Sequence, residues 1–322
     1  MSRTLKLAQA LTAKELSDEE LRNANKALWY TIDDKKINSN ILNLYYPLTY
    51  DNETAAFLDN SLEISNSLFW QMFYSISMGF LSFFTTKTNI NGILNRGHMH
   101  IFSTSQLRNF MDLPPDWNSL DKTILDLGAG DGVVTEKLSH FYKNVYTTEL
   151  SPVMQLRLKQ KGFKVIDAQT WPEHEIIKEK KVDVISVLNL LDRHYNPKLL
   201  LSQLHSASLQ TGAKILMAVV LPIKQYVEFH PTSQKYTADT NIILEGRTFE
   251  EQVQSLITDI FIPNGFEVIK FSKVPYLCEG DHVKAYYRLT DALFLLKGLP
   301  KSEAIIENVK DNDSIEVKRQ EL

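Results

Sequence analysis

The chain has 322 residues, 43% of them hydrophobic and 23% charged, which excludes a disordered, collagen-like or coiled-coil protein. Lys and Arg number 35 against 39 Asp and Glu, a net charge of -4. Nucleic acid is therefore not an expected partner, because neutralising phosphates takes basic excess. The single cysteine, Cys278, allows neither an internal disulfide nor a Cys-based zinc site, and no metal is expected.

Residues 1–115 read as a helical N-terminal extension packed on the core. The first residues show no apolar stretch of signal-peptide length, so the expectation is intracellular and cytoplasmic. Ile64 to Thr86 carries no charged residue. Gln71, Ser75 and Ser82 share one helical face, and Phe69, Phe73, Phe80 and Phe84 supply an apolar side. The expectation is an amphipathic helix whose apolar side packs on the core. Membrane association through residues 64–86 is the lesser alternative.

Residues 116–298 alternate short β-branched runs with helical patterns. Strands are expected over Thr123–Leu127, Val145–Leu150, Lys164–Asp167, Val182–Leu188, Ala213–Leu221, Glu267–Val274 and Ala292–Leu296. Helices are expected over Gly132–Tyr142, Pro152–Lys161, Pro197–Leu209 and Phe249–Phe261. This alternation predicts an α/β domain, a mostly parallel seven-stranded sheet with helices on both faces. Residues 299–322, charged and without aromatics, read as a flexible tail.

Asp126-Leu127-Gly128-Ala129-Gly130-Asp131-Gly132 follows the first of these strands and opens a helix. Glycines there let the backbone turn tightly and approach a ligand, and the helix start offers free amides. Glu149 ends the next strand, where a carboxylate can hold a ribose diol. The third glycine of a dinucleotide fingerprint is missing, since Val133 occupies its place. The pattern instead resembles motif I of class I S-adenosylmethionine methyltransferases, a Rossmann-like fold. That resemblance places Asp126 near the methionine end of the cofactor, Glu149 on the ribose and Asp167 near the adenine amine. Asn189 and Asp192, the first polar residues after the buried run ending at Leu188, face the transferred methyl in such enzymes. Either can also be read as a strand end or a helix cap.

Further segments narrow the resemblance. Thr148-Glu149-Leu150, Leu188-Asn189-Leu190-Leu191-Asp192-Arg193, Val274-Pro275-Tyr276-Leu277-Cys278-Glu279-Gly280-Asp281 and Thr88 to Gly97 are similar to the DREV, or methyltransferase-like-9, family. The similarity runs from about Phe57 to Lys297. It implies a protein-histidine N-pros methyltransferase acting on His-x-His sequences with a small middle residue. Its cofactor would be S-adenosylmethionine and its partners His-x-His proteins or peptides, with the chain expected to act as a monomer. Asp192 would fix the imidazole tautomer, Asn189 would help to place cofactor or substrate, and Tyr276 and Tyr287 would line the imidazole. Arg96 is a secondary candidate for reaching a carboxylate. The hydrophobic leader of that family is not expected here, although the resemblance implies endoplasmic-reticulum or mitochondrial association. A methyltransferase of a small molecule or another side chain, and an idle cofactor-binding scaffold, stand as alternatives.

Overall fold

The β-branched runs form the sheet, and their period-2 alternation divides side chains between two cores. Ile185 and Val187 point to one face and Val184 to the other; Ile215, Met217 and Val219 alternate with Leu216 and Ala218 in the same way. The computed structural model describes residues 3–117, 120–233, 235–281 and 283–300. From residue 301 on, the expected tail lies outside the described residues.

The N-terminal segment contains α1 (Arg3–Asn23), α2 (Ser39–Leu42), α3 (Asn52–Asn66), α4 (Leu68–Leu81) and α5 (Lys87–Leu94). The short strand β1 (Met99–His100) and α6 (Thr104–Phe110) follow. Then come β2 (Thr123–Leu127), α7 (Val133–Ser139), β3 (Asn144–Thr148), α8 (Pro152–Gln160), β4 (Lys164–Ile166), α9 (Glu175–Lys178), β5 (Val184–Leu188) and α10 (Pro197–Thr211). β6 (Lys214–Val220), α11 (Phe249–Ser255), β7 (Phe266–Glu279) and β8 (Tyr286–Gly298) complete the described chain. Local signals set the helix ends: Asn196 caps α10 ahead of Pro197, and left-handed Gly212 ends it.

The sheet order is β1-β7-β8-β6-β5-β2-β3-β4. β2 to β6 pair in parallel, whereas β8 runs antiparallel to β6 and β7 antiparallel to β8. The fold is the Rossmann-like one, with an eighth strand beyond the seven expected: β1 pairs antiparallel with the free edge of β7. Chain order reverses at β2, which has β3 on one side and β5 on the other. Ligands of open α/β sheets bind outside the strand ends at such a reversal.

α9, α10 and α11 cover one face through Ile177, Leu201, Leu204 and Val253. The other face is covered by α6 and α7 and by N-terminal residues, with Trp29, Tyr30, Leu48 and Leu58 packing beside Leu107, Phe110 and Leu138. α4 forms, but its apolar side is not buried as expected. Phe69 (73% exposed), Ile76 (70%), Phe80 (66%) and Phe84 (73%) face outward, so they do not pack on the core. The polar side is not buried either, since Ser75 and Ser82 are exposed and Gln71 is half-buried. The Arg96 guanidinium stacks 4.1 Å from the Tyr74 ring, and Gln71 donates to the Ile64 carbonyl. No helix among the described residues is long and apolar enough to cross a membrane.

Candidate active site

The turn after β2 builds one wall of a cavity of about 320 Å³ at the sheet reversal. Gly128 (φ +71°) and Gly130 (φ +58°) take left-handed conformations that side chains resist. A Cβ at Gly128 would lie 3.0 Å from Leu190, whereas at Gly130 it would meet nothing within 4 Å. The backbone at Gly130 therefore borders open space that a ligand can approach closely. The loop is pinned to β3, with the Gly128 amide donating to the Thr148 hydroxyl (3.1 Å) and the Ala129 amide to the Thr148 carbonyl (3.0 Å).

Glu149 lines the same cavity and holds the loop. Its carboxylate accepts from the amides of Gly130 (3.0 Å), Leu150 (2.7 Å) and Ser151 (2.8 Å). Burial nevertheless pushes its pKa up, against those three donors. Asp126 is placed differently. It is 2% exposed, lies outside the cavity lining, and accepts from the hydroxyls of Thr135 (2.6 Å) and Ser186 (2.7 Å). In this arrangement it braces β2, α7 and β5 beneath the loop, and burial pushes its carboxyl up to about 6. Asp167 is exposed and closes a turn by accepting from the Gln169 and Thr170 amides. Those bonds lower its pKa, while the neighbouring Ala168 and Gln169 reach the cavity.

At the end of β5, Asn189 (φ +56°) lines the cavity, with its amide nitrogen 2.8 Å from Asp291 Oδ2. Asp192 is 2% exposed and sits behind the lining residues Asn189, Leu190 and Arg193. Its Oδ2 lies 3.2 Å from Arg193 Nε. Burial pushes Asp192 up to about 6, and Arg193 opposes the shift. Asp291, fully buried, rises to about 8 through burial, with the charge of Asp192 adding to the effect and Asn189 opposing it. The Oδ1 atoms of Asn189, Asp192 and Asp291 are all buried without a hydrogen-bond partner. Each of these three side chains thus has an acceptor oxygen without a donor, and of the three only Asn189 lines the cavity, where an N–H-bearing ligand could meet it.

Tyr276 lines this cavity, and its hydroxyl contacts the Met99 sulfur. Tyr287 lines a second cavity of about 580 Å³ and donates to Asp281 at 3.0 Å. Met99 borders both cavities, but the two tyrosines line different ones, so the structure does not bring them together at one wall. Arg96 lines the second cavity and pairs with Glu279 at 2.6 Å. Glu279 also accepts from the Gly97 and His98 amides. His98 reaches Asp131 of the glycine loop at 2.8 Å, and that carboxylate raises its pKa. His100 is buried between Thr54 and Lys137.

Sequence reasoning did not single out Asp291, Thr88 or Glu228. The Thr88 hydroxyl meets the Glu228 carboxylate at 2.7 Å, and both residues line the cavity, joining α5 to the loop after β6. Thr88 belongs to a segment already marked by family resemblance. Asp291 had a local signal as well, a carboxylate opening the apolar run Ala292–Leu296.

Among solved structures, the chain is similar to magnesium protoporphyrin IX methyltransferase from Synechocystis PCC 6803 with bound SAM. The identity is 14% and the TM-score 0.35, over 74% of this chain and 96% of that one. It is also similar to precorrin-6y C5,15-methyltransferase from Geobacter metallireducens GS-15, at 12% identity and TM-score 0.34 over 61% and 89%. The DREV methyltransferase family matches residues 29–298, most of the chain, including every element that lines the two cavities. The chain belongs to the DREV methyltransferase family and is a class I methyltransferase whose cofactor is S-adenosylmethionine.

Proposed function

We propose that the protein transfers a methyl group to the N-pros nitrogen of histidine in His-x-His sequences of proteins or peptides. The observation that carries this reading is Asp192: a buried carboxylate with one oxygen paired to Arg193 and the other without a donor, beside the cavity. When bound, S-adenosylmethionine supplies an electrophilic methyl on a sulfonium. Glu149 and the loop around Gly130 would hold its ribose and approach it closely.

The chain's own task is then to choose the nitrogen. A neutral imidazole is nucleophilic near pH 7, because its pKa is about 6.5. N-pros can attack only if the ring proton sits on the other nitrogen. Asp192 Oδ1 would accept that proton's hydrogen bond, fix the tautomer and stabilise the imidazolium that develops. Tyr276 would wall the ring, whereas Tyr287 lines the second cavity.

The test is methyl transfer from labelled S-adenosylmethionine to a His-x-His peptide, against the same peptide with both histidines replaced by Ala. Label that depends on the histidines supports the proposal. Equal label on both peptides would point to another side chain. Cofactor binding without transfer to either peptide would favour another substrate or a scaffold.

A further inference from the structure

Asp291 lies on β8 in register with Val220 of β6 and Val274 of β7, and it is fully buried. A carboxyl group there costs free energy unless its hydrogen bonds are satisfied. Its one hydrogen bond among the described residues is the one it accepts from Asn189 Nδ2, at 2.8 Å. The Asn189 backbone is held separately, by its own amide donating to the Ala218 carbonyl at 2.9 Å. Asp291 is therefore not needed to hold the chain at Asn189, but it does engage one end of the side chain.

An asparagine side chain has a donor end and an acceptor end, nearly identical in shape. At a cavity wall the choice between them decides which ligand atoms are welcome. A carboxyl oxygen that accepts from Nδ2 commits the donor end and leaves Oδ1 as the free acceptor, and Oδ1 is indeed buried without a partner. We infer that Asp291 is a positioning residue: it sets the sense of the Asn189 amide, so that this wall accepts a hydrogen bond from an N–H of the bound reactants. A proton on Asp291 Oδ1, the atom with no partner, leaves Oδ2 an acceptor, so the commitment holds whether or not Asp291 is ionised. The inference rests on the methyl-transfer reading, and it adds a residue that touches neither reactant.

The test uses the full chain and a double-variant rescue. In Asp291→Leu the Asn189 amide can turn its donor end to the wall, and kcat should fall roughly tenfold or more, the size of one buried mismatch. Adding Asn189→Asp to that variant presents oxygen in either orientation and should restore most of the loss. The exchange Asn189→Asp/Asp291→Asn, which keeps the bond with its direction reversed, should likewise outperform Asp291→Leu. A purely structural Asp291 would lower thermal stability in Asp291→Leu, and Asn189→Asp would rescue nothing. Unchanged kcat in Asp291→Leu, or no rescue in either double variant, would overturn the inference. A second readout needs no substrate. The Asn189 side-chain amide protons, assigned in ¹⁵N-labelled protein by their loss in Asn189→Asp, should move upfield in the exposed absence of Asp291. Identical amide signals in wild type and Asp291→Leu would overturn the inference even if the histidine peptide proves not to be a substrate. Where Asp291→Leu does not fold, the same comparison is made with Asp291→Ala, which also has no acceptor.

Discussion

Replacing Asp192 with Asn should slow methyl transfer severely while leaving cofactor affinity near normal. The magnitude follows from the surroundings of the carboxylate. Oδ2 faces Arg193 Nε at 3.2 Å, and Oδ1 has no partner. Arg has only donors, so an Asn at 192 would turn its single oxygen to Arg193 and place its NH2 where Oδ1 stood. Two donors, the amide and the substrate ring N–H, would then face each other. Losing a charge-assisted hydrogen bond costs roughly 1.5–3 kcal/mol, and leaving a buried donor unmatched about 1–3 kcal/mol. The sum of about 2.5–6 kcal/mol corresponds to roughly 10²- to 10⁴-fold in rate. Labelled transfer at saturating cofactor gives the rate, and calorimetry with S-adenosylmethionine gives the affinity. A variant within about threefold of wild type in transfer would refute the role given to Asp192.

Gly130→Val places a branched side chain at φ +58° and into open space at the cavity wall. Calorimetry should show cofactor affinity reduced about tenfold or more, because the loop can neither keep its turn nor let a ligand approach; unchanged affinity would remove Gly130 from the site. The outward face of α4 makes a stability prediction. Phe80→Ser, at a position 66% exposed, should change unfolding free energy by no more than about 0.5 kcal/mol, and denaturant melts showing a loss of several kcal/mol would mean that the face is packed. Asp291 makes a prediction about pH. Its folded pKa, about 8, lies above the unfolded value near 3.8, so the folded state holds the proton more tightly. Asp291 is then neutral at no cost below pH 4, and it costs stability increasingly as pH rises towards 8. The melting temperature of Asp291→Asn relative to wild type should accordingly climb between pH 4 and pH 8, and a flat difference would contradict the shift.

The strands of the parallel half were legible because they are buried on both faces and read as apolar runs. Thr123–Leu127 is the clearest case, and its glycine turn followed directly. The hairpin of β7 and β8 was read too short. Tyr286–Leu289 and Tyr276–Glu279 mix tyrosine, arginine and glutamate where one side of the hairpin borders the second cavity, so alternation fades there. That shortened reading started β8 at Ala292 and left Asp291 outside it. In α4, periodicity identified the apolar side but could not say whether the fold covers it, and it does not. What the helix does meet, such as Arg96 stacked on Tyr74, comes from a later segment and forms only in the fold. The carboxylates were recognised by type, yet their duties were not. Asp126 could not be distinguished in sequence from a cavity-facing residue, because the hydroxyls that claim it come from Thr135 and Ser186.

The central claim is that the methyl group goes to histidine N-pros. The most direct measurement is amino-acid analysis of a His-x-His peptide after reaction with labelled S-adenosylmethionine, separating N-pros-methylhistidine from its N-tele isomer. The account predicts label in the N-pros isomer, absent when the histidines are replaced by Ala and strongly reduced with Asp192→Asn enzyme. Label in the N-tele isomer, or label that survives removal of the histidines, would contradict it.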